Sequence, residues 1–306
     1  MDEVSVLSPA TVSNVVCGFD CLGFALSEPA DEMTVRKIDN EREVRIICAG
    51  DFGLPTDPTR NVAGVALLAM LERLDADFGF EVEMTKHIKP GSGIGSSAAS
   101  SCGAVVAANA LVGNAFSKLE LVDLAMAGEE LASGSRHADN LAPCIFGGFT
   151  LVRSTEPLDI VTLNFAPLFA TVIHPQIEVK TADARGILPK QVSLKAAVRN
   201  WSNLGAFVAA LSTGDHELMA RSMVDEIVEP ARKSLIPRFD EVKSACLKAG
   251  AIGGGISGSG PSMFMLSSSQ DTATSIEQAM KTVYSPTGID FRTYVSRIDP
   301  EGVRFV

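Results

Sequence analysis

The spacing of apolar residues changes along the chain, and each change predicts an element. EVRIICAG (43–50) is rich in β-branched residues and reads as a strand. Residues 62–74 carry apolar side chains at helical spacing, which predicts a helix. FEVEMTKHI (80–88) alternates as a half-buried strand does. From Ser96 the run SSAASSCGAVVAANALVG is small and Ala-rich. It predicts a helix that lets neighbouring backbone come close, ended by Gly113 and Asn114. Ser117 with Glu120 three residues on is a capping-box pattern ahead of LELVDLAMAGEELA, another helix. CIFGGFTLV (144–152) reads as a strand with a sharp Gly-Gly bend, and PLFATVIHP (167–175) as a further strand.

The second half has longer amphipathic runs. Residues 193–211 predict a long helix stopped by Gly214, and a shorter helix starts near Asp215. RFDEVKSACLKAG (238–250) predicts a helix with Gly250 as its C-cap. A glycine run and strand, GGGISGSGPSMFML, come next, then a helix near 274–284 and the strand FRTYVSR (291–297). Helices and strands mix without a strict βαβ repeat, which favours an α+β fold. A domain boundary is expected near 160–170, giving units 1–165 and 166–306.

Composition narrows the classes. With 46% hydrophobic and 21% charged residues, the 306-residue chain has an ordinary soluble balance. No run approaches the ~20 apolar residues of a membrane span. The start, MDEVSVLSPAT, is acidic where a signal peptide is basic, so a cytoplasmic protein is expected. A net charge of -11 argues against nucleic acid as a main partner. Cysteines at 17, 21, 48, 102, 144 and 246 form no CxxC pair, which reads as reduced thiols rather than a zinc site.

The chemistry concentrates in KPGSGIGSSAASS (89–101), between a predicted strand and a predicted helix. A linker has no reason to sit there. Glycines let backbone N–H groups approach an anion, and a helix N-terminus adds attraction for it. A phosphate loop and a structural glycine turn both remain open on these residues alone. The Walker pattern is excluded, because no Lys precedes Ser96 and Ser97. A formal GxGxxG at Gly253, Gly255 and Gly258 leads into Pro261 and a strand rather than a helix, so the dinucleotide fingerprint is rejected. A tight glycine turn packed beside another loop is the better account. No GxSxG occurs.

Three ordered segments now carry a resemblance. GSGIGSSAAS (91–100) resembles the ATP motif of the GHMP kinase superfamily, which includes galactokinases, homoserine kinases and mevalonate kinases. SPATVSNVVCGFDCLG (8–23) and GGGISGSGPSMF (253–264) resemble its N-terminal and C-terminal motifs. Within the superfamily the homoserine kinases match best. Their PATSANLGPGFDxLG appears as PATVSNVVCGFDCLG, with Asn14, Gly18, Phe19 and Asp20 kept and Leu-Gly-Pro replaced by Val-Val-Cys. GEELASGSRHADNLAPCIFGGF (128–149), TADAR with LP following (181–189) and EPARKSLIPRF (229–239) match as well.

The resemblance implies a two-domain fold: a ribosomal protein S5 domain 2-like N-terminal half, a ferredoxin-like C-terminal half, and a site between them. It implies ATP as phosphoryl donor, L-homoserine as acceptor in threonine biosynthesis, and a homodimer. The ATP loop would comprise Lys89, Pro90, Gly91, Ser92, Gly93, Ile94, Gly95, Ser96, Ser97, Ala98 and Ala99. Ser97 and Glu129 would ligate Mg2+, as hard oxygen donors suit it, although a lone helix Glu is usually a solvated charge. Arg185 and Arg232 would take the substrate carboxylate and Asp20 its ammonium. Asn14 and Asn140 would bond its other polar groups, the hydroxyl included. Asn140, Thr181 and Arg185 are expected nearest the transfer, with Thr181 by the γ-phosphate. Asn61 and Val62 are assigned to adenine. His137 is expected to be buried or behind the substrate, and Asp139 to face away from it. With Asn140 where related kinases carry an Asp, transfer without a protein base is expected. Two alternatives stand beside this: a kinase for another small alcohol such as mevalonate, and a nucleotide-binding protein without turnover.

Overall fold

The structure, a computed structural model, describes residues 2–40, 42–49, 52–179 and 181–306, with the side chains of Cys48, Ala49, Thr181 and Ala182 outside that description. The strands are β1 (Glu3–Ser13), β2 (Leu22–Ile38), β3 (Val44–Ala49), β4 (Gly79–Thr85), β5 (Phe149–Thr155), β6 (Leu158–Leu163), β7 (Phe169–Pro175), β8 (Gly253–Ile256), β9 (Met263–Ser267), β10 (Phe291–Arg297) and β11 (Arg304–Phe305). The helices of the first half are α1 (Val62–Leu74), α2 (Ser96–Leu111), α3 (Lys118–Ser133) and α4 (Leu141–Phe146). Those of the second are α5 (Thr181–Gly186), α6 (Leu194–Thr213), α7 (His216–Ser222), α8 (Glu229–Arg232), α9 (Phe239–Lys248) and α10 (Gln270–Tyr284).

One sheet runs β11-β1-β2-β4-β3, with β5 and β6 joining at the start of β2. The central strand β2 is 17 residues long. Its far half alternates buried and exposed, because α1, α2 and α3 cover one face only. Its first residues, like the last six of β1, are buried on both faces. There the second half of the chain covers the other side: Phe264 packs against Phe24 at 5.5 Å between ring centroids, beside Phe149 of the first sheet at 4.9 Å. The change from one covered face to two marks where the halves meet.

The second sheet, β10-β7-β9-β8, is antiparallel throughout. Its chain order is β-α-β-β-α-β, the ferredoxin-like arrangement. All seven residues of β7 are buried, since α9 and α10 cover one face and α6 and α7 the other. Strand β11 returns to pair with β1, so the C-terminus closes the first sheet. Among the described residues no helix is long and apolar enough to cross a membrane.

Local chemistry explains most element ends. The Ser117–Glu120 capping box forms in full, Asn61 caps α1, Ser193 caps α6 and Asp215 caps α7. Two expectations change, and one strand goes unforeseen. CIFGGFTLV is not one strand: its first residues end α4, Gly147 and Gly148 make the turn, and β5 begins at Phe149. A short apolar run fits a buried helix as well as a strand. α10 starts four residues before 274, because the Ser269 hydroxyl accepts from Thr272 N. β2 escaped sequence reading because Glu28, Pro29, Asp31 and Glu32 mask its alternation. It carries extra residues between Ala25 and Ala30 opposite Pro9–Thr11.

Candidate active site

A cleft of 250 Å³ opens where the two sheets meet, close to the small end of ligand pockets at about 300–1,000 Å³. One wall is the loop between β4 and α2. Its carbonyls are held from behind. Ser262 Oγ donates to Ser92 O at 2.6 Å, Ser257 Oγ to Gly93 O at 2.7 Å, and Thr11 N to Ile94 O at 3.2 Å. A trans peptide points its C=O and N–H opposite ways. Anchoring these carbonyls therefore turns the N–H groups of Gly93, Ile94 and Gly95 away from the anchors. Gly95, the N-cap of α2, has no side chain to cap the helix, so the first turn of α2 also offers free N–H groups. Ser92 Oγ is buried and unpartnered among the described residues, and Ser92 lines the cleft. This is an anion cradle with a helix dipole behind it.

Glycine is required at two of these positions. Gly93 sits at φ 81°, and a Cβ there would lie 2.6 Å from Gly260 O. Gly95 sits at φ 71°, with a Cβ position 2.0 Å from Thr11 Oγ1. The β8–β9 hairpin thus packs on the loop as the glycine-turn reading expected.

The opposite wall is charged. The chain bends sharply after β1, with Asn14, Val15 and Val16 at φ 72°, 34° and 60°. Positive φ is strained for a β-branched residue, and Val16 stands where the family pattern has glycine. The replacement at 15–17 therefore touches backbone conformation as well as packing. Asn14 holds the bend: its Oδ1 accepts from Asp20 N at 2.9 Å and its Nδ2 donates to Gly258 O at 2.7 Å. Asp20 accepts two bonds from Arg185, at 3.0 and 3.1 Å. Arg232 is buried, donating to Ala184 O and Gly258 O, with its guanidinium 5.1 Å from the Phe19 ring. Arg185 lies 5.8 Å from the same ring. Phe19 thus faces both guanidinium groups, a cation–π seat that the sequence reading left without a role.

Two carboxylates in the cleft are raised by burial, and Arg185 offsets only part of it. Burial pushes Glu129 up from 4.5 to about 7, and the charge of Asp139 adds to the push. Asp139 rises from 3.8 to about 6 through burial and then the neighbouring Asp20, partly offset by Ser13 and Arg185. The expectation that Asp139 faces away is corrected: it lines the cleft. Consecutive side chains point apart reliably only in a strand, and here the chain is turning into α4. His137 also lines the cleft, half-buried, with Nε2 unpartnered among the described residues. Burial lowers its pKa, which favours the neutral ring. Asn140 accepts from Thr11 Oγ1 at 2.8 Å and donates to Ser13 Oγ at 2.9 Å. An amide has a second N–H and a second lone pair, so one of each is left for a ligand.

The cleft gathers Asn14, Asp20, Gly91, Ser92, Gly93 and Gly95, with Ser96, Ser97, Ala98, Glu129, Asn140, Arg185 and Arg232. It adds Ser13, Ser133, Gly258 and Ser259, small residues with no signal of their own outside the motifs. Lys89, Pro90, Ile94 and Ala99 do not line it: Lys89 Nζ donates to Gln176 Oε1 at 2.8 Å, and Ile94 and Ala99 are buried in the core. Asn61 and Val62 also lie outside it, at the start of α1, where the Asn61 amide caps the helix and donates to Pro55 O. The Thr181 side chain lies outside the described residues.

Two family models match the chain: GHMP kinases N terminal domain over residues 61–148, and GHMP kinases C terminal over residues 207–286. An anion cradle joined to a small polar cleft, in a chain matched by both models, marks the class as a GHMP kinase. The homoserine kinase of Chloroherpeton thalassium is 46% identical over 93% of each chain, and that of Chlorobaculum tepidum 43% over 100% of this chain and 99% of the other. The crystal structure of homoserine kinase from Cytophaga hutchinsonii superposes with a TM-score of 0.96 at 51% identity, covering 100% of this chain and 98% of that one. The chain belongs to the homoserine kinase family.

Proposed function

We propose that the protein moves the γ-phosphoryl group of ATP to the side-chain hydroxyl of L-homoserine, giving O-phospho-L-homoserine and ADP. One observation carries the reading: an anchored amide cradle faces, across one small cleft, a paired Asp20 and Arg185. The cradle suits phosphate. The pair suits a zwitterion, whose carboxylate can take Arg185 and whose ammonium can take Asp20. Mevalonate has no ammonium for Asp20, so this acceptor is disfavoured.

In this reading the loop amides and the start of α2 hold the phosphates. Arg232 and Arg185 fix the substrate carboxylate, and Asn14 fixes the bend that carries Asp20. The free N–H and lone pair of Asn140 orient the acceptor hydroxyl. Phosphoryl transfer asks mainly for positioning and charge neutralisation, so an amide suffices at this place. Ser97 and Glu129 fit a hard divalent cation, since burial raises the Glu129 carboxyl by more than Ser133 and Arg185 offset. When bound, Mg2+ supplies positive charge at the phosphates. A side-chain base is the second reading, and Asp139 is its candidate because it lines the cleft. Asp139→Asn within about tenfold of wild-type kcat would exclude that role.

We assign the unit boundary to 165/166, supported by the gap between β6 and β7. A homodimer is supported by α6, which exposes Leu194, Val198 and Trp201 on one stripe, Trp201 at 62%. Sedimentation of Trp201→Glu as a monomer beside a dimeric wild type would establish it. Free thiols at five described cysteines support a reducing, cytoplasmic setting, and the reaction supports a place in threonine biosynthesis.

The test is ADP release with Mg-ATP and L-homoserine, L-serine, L-threonine, mevalonate or no acceptor. Release that depends on L-homoserine supports the reading. Turnover with mevalonate alone overturns the acceptor, and nucleotide binding without turnover favours a non-catalytic role.

A further inference from the structure

Beneath the phosphate loop lies an ion pair that no part of the cleft exposes. The side chains of Lys86 and Asp31 are 1% and 0% exposed, and they bond to each other. Asp31, on β2, also accepts from the N–H groups of His87 at 2.7 Å and Ile88 at 2.9 Å, both with Oδ1. Lys86 follows the last residue of β4. It donates to the carbonyl of Ser96 at 3.1 Å and to Ser100 Oγ at 2.9 Å. Ser96 Oγ donates back to Ile88 O at 2.9 Å. One buried cation therefore ties β2, the loop's entry and the first turn of α2.

Stability alone does not explain this choice. Replacing a buried ion pair by apolar side chains is often neutral or stabilising, while the charges must be desolvated together. What the pair does that apolar packing cannot do is aim a peptide plane. The Ser96 carbonyl and the Ser97 N–H belong to one trans peptide and point opposite ways. Lys86 grips the carbonyl from the core side. The Ser97 N–H is thereby directed out through the N-terminus of α2, beside the Ser97 hydroxyl in the cleft. Ser92, Gly93 and Ile94 have neutral anchors on their carbonyls, and this peptide has a charged one beside the Ser100 hydroxyl, which donates to the same carbonyl at 3.3 Å.

We propose that Lys86, held by Asp31, is a positioning residue for phosphoryl transfer: it sets the 96–97 peptide and with it the donors at the head of α2. The proposal rests on the loop being the nucleotide-phosphate site. It acts on one end of the cleft only, so nucleotide affinity should respond and homoserine affinity should not.

Lys86→Met alone strands the Asp31 charge in the core, so the informative protein is Lys86→Met/Asp31→Asn. The Asn keeps an acceptor for His87 N and Ile88 N without leaving a charge. Thermal unfolding, MgADP titration and both KM values are measured on it and on wild type. The expected result is a folded double variant with MgADP affinity and KM for ATP each worse by about 10-fold, and KM for L-homoserine within about twofold. Wild-type MgADP affinity in the folded double variant overturns the proposal. So does a parallel rise of both KM values, or failure of the single and double variants alike to fold, since each makes the pair purely structural. Gly93→Ala is the control: if MgADP binding survives it too, the assignment of the loop to nucleotide fails instead.

Discussion

The two ends of the cleft are built on opposite plans. At the end proposed for phosphate the groups left for a ligand are backbone: carbonyls are tied back by the Ser262 and Ser257 hydroxyls and by Thr11 N, and N–H groups are left over. At the substrate end the contacts are charges, and they are unbalanced. Asp20 and Arg185 occupy each other, while burial raises Glu129 and Asp139 by more than Arg185 offsets. Neutral N–H groups can be preorganised at little cost because their carbonyl partners carry the anchoring. Unbalanced charge is held against a desolvation penalty, and a ligand of matching charge relieves it. The phosphate end is therefore expected to be rigid and intolerant of added atoms. The substrate end should tolerate changes of shape better than changes of charge.

The largest effect should come from one methyl group at the rigid end. Gly93→Ala places a Cβ against Gly260 O at 2.6 Å and Ser257 O at 2.8 Å, at a φ that L side chains avoid. Loop and hairpin must separate, and kcat/KM should fall by at least about 100-fold. Wild-type kinetics for this variant would mean that the loop adapts, and the contrast between the ends would collapse. Next is Arg185→Ala at the charged end. It removes two charge-assisted bonds and should raise KM for L-homoserine about 10–100-fold, with KM for ATP within about threefold. A rise in both would show that the ends are not separable.

The two ends also differed in how far the sequence revealed them. The loop is local: Gly91 to Ser97 are contiguous, and a strand before and a helix after already suggest an anion site beside the plain glycine-turn reading. Its anchors are not local. Ser257 and Ser262 sit about 165 residues away in a run that periodicity marks only as a glycine turn. Lys86 and Asp31 are 55 apart, and either alone reads as a surface charge. At the substrate end, residue types were legible through the family motifs, but pairings were not. Asp20 with Arg185 spans 165 positions, and Asp139 was expected to face away because its neighbour Asn140 was placed at the substrate. Strand β2, the spine of the larger sheet, went unseen because its charged middle hides its alternation. Sequence pattern reports local conformation. Burial of charge is settled by contacts between distant segments.

Charge imbalance makes a further prediction in which stability and activity part company. The Glu129 carboxyl is raised to about 7 by burial. Well below the unfolded value both states carry the proton and the group contributes nothing. Between that value and about 7 the unfolded chain ionises while the folded one keeps its proton, so stability falls as pH rises. Glu129→Gln removes the penalty. Without metal or nucleotide it should be more stable than wild type near pH 8, by on the order of 1–3 kcal/mol, with no difference near pH 4. Activity should fall at least about 10-fold, because the anionic oxygen is gone. Calorimetric scans at both pH values decide it. Equal melting near pH 8 would mean that the carboxylate is already compensated.

The smallest effect tests whether the ends communicate at all, and it falls on the hairpin they share. Ser257 Oγ holds Gly93 O, while the next residue gives its carbonyl to Asn14 and Arg232. Ser257→Ala leaves the Gly93 carbonyl without that donor, and the loop's N–H groups lose one of their fixed backs. Nucleotide affinity should weaken about 5–10-fold, the worth of one buried hydrogen bond. Gly258 has independent support, since its N–H donates to Ser13 O at 3.2 Å and its carbonyl keeps both donors. KM for L-homoserine should therefore stay within about twofold. A matching rise in homoserine KM would locate the coupling in residues 257–258. The cleft would then be one preorganised unit instead of two ends built on different physics.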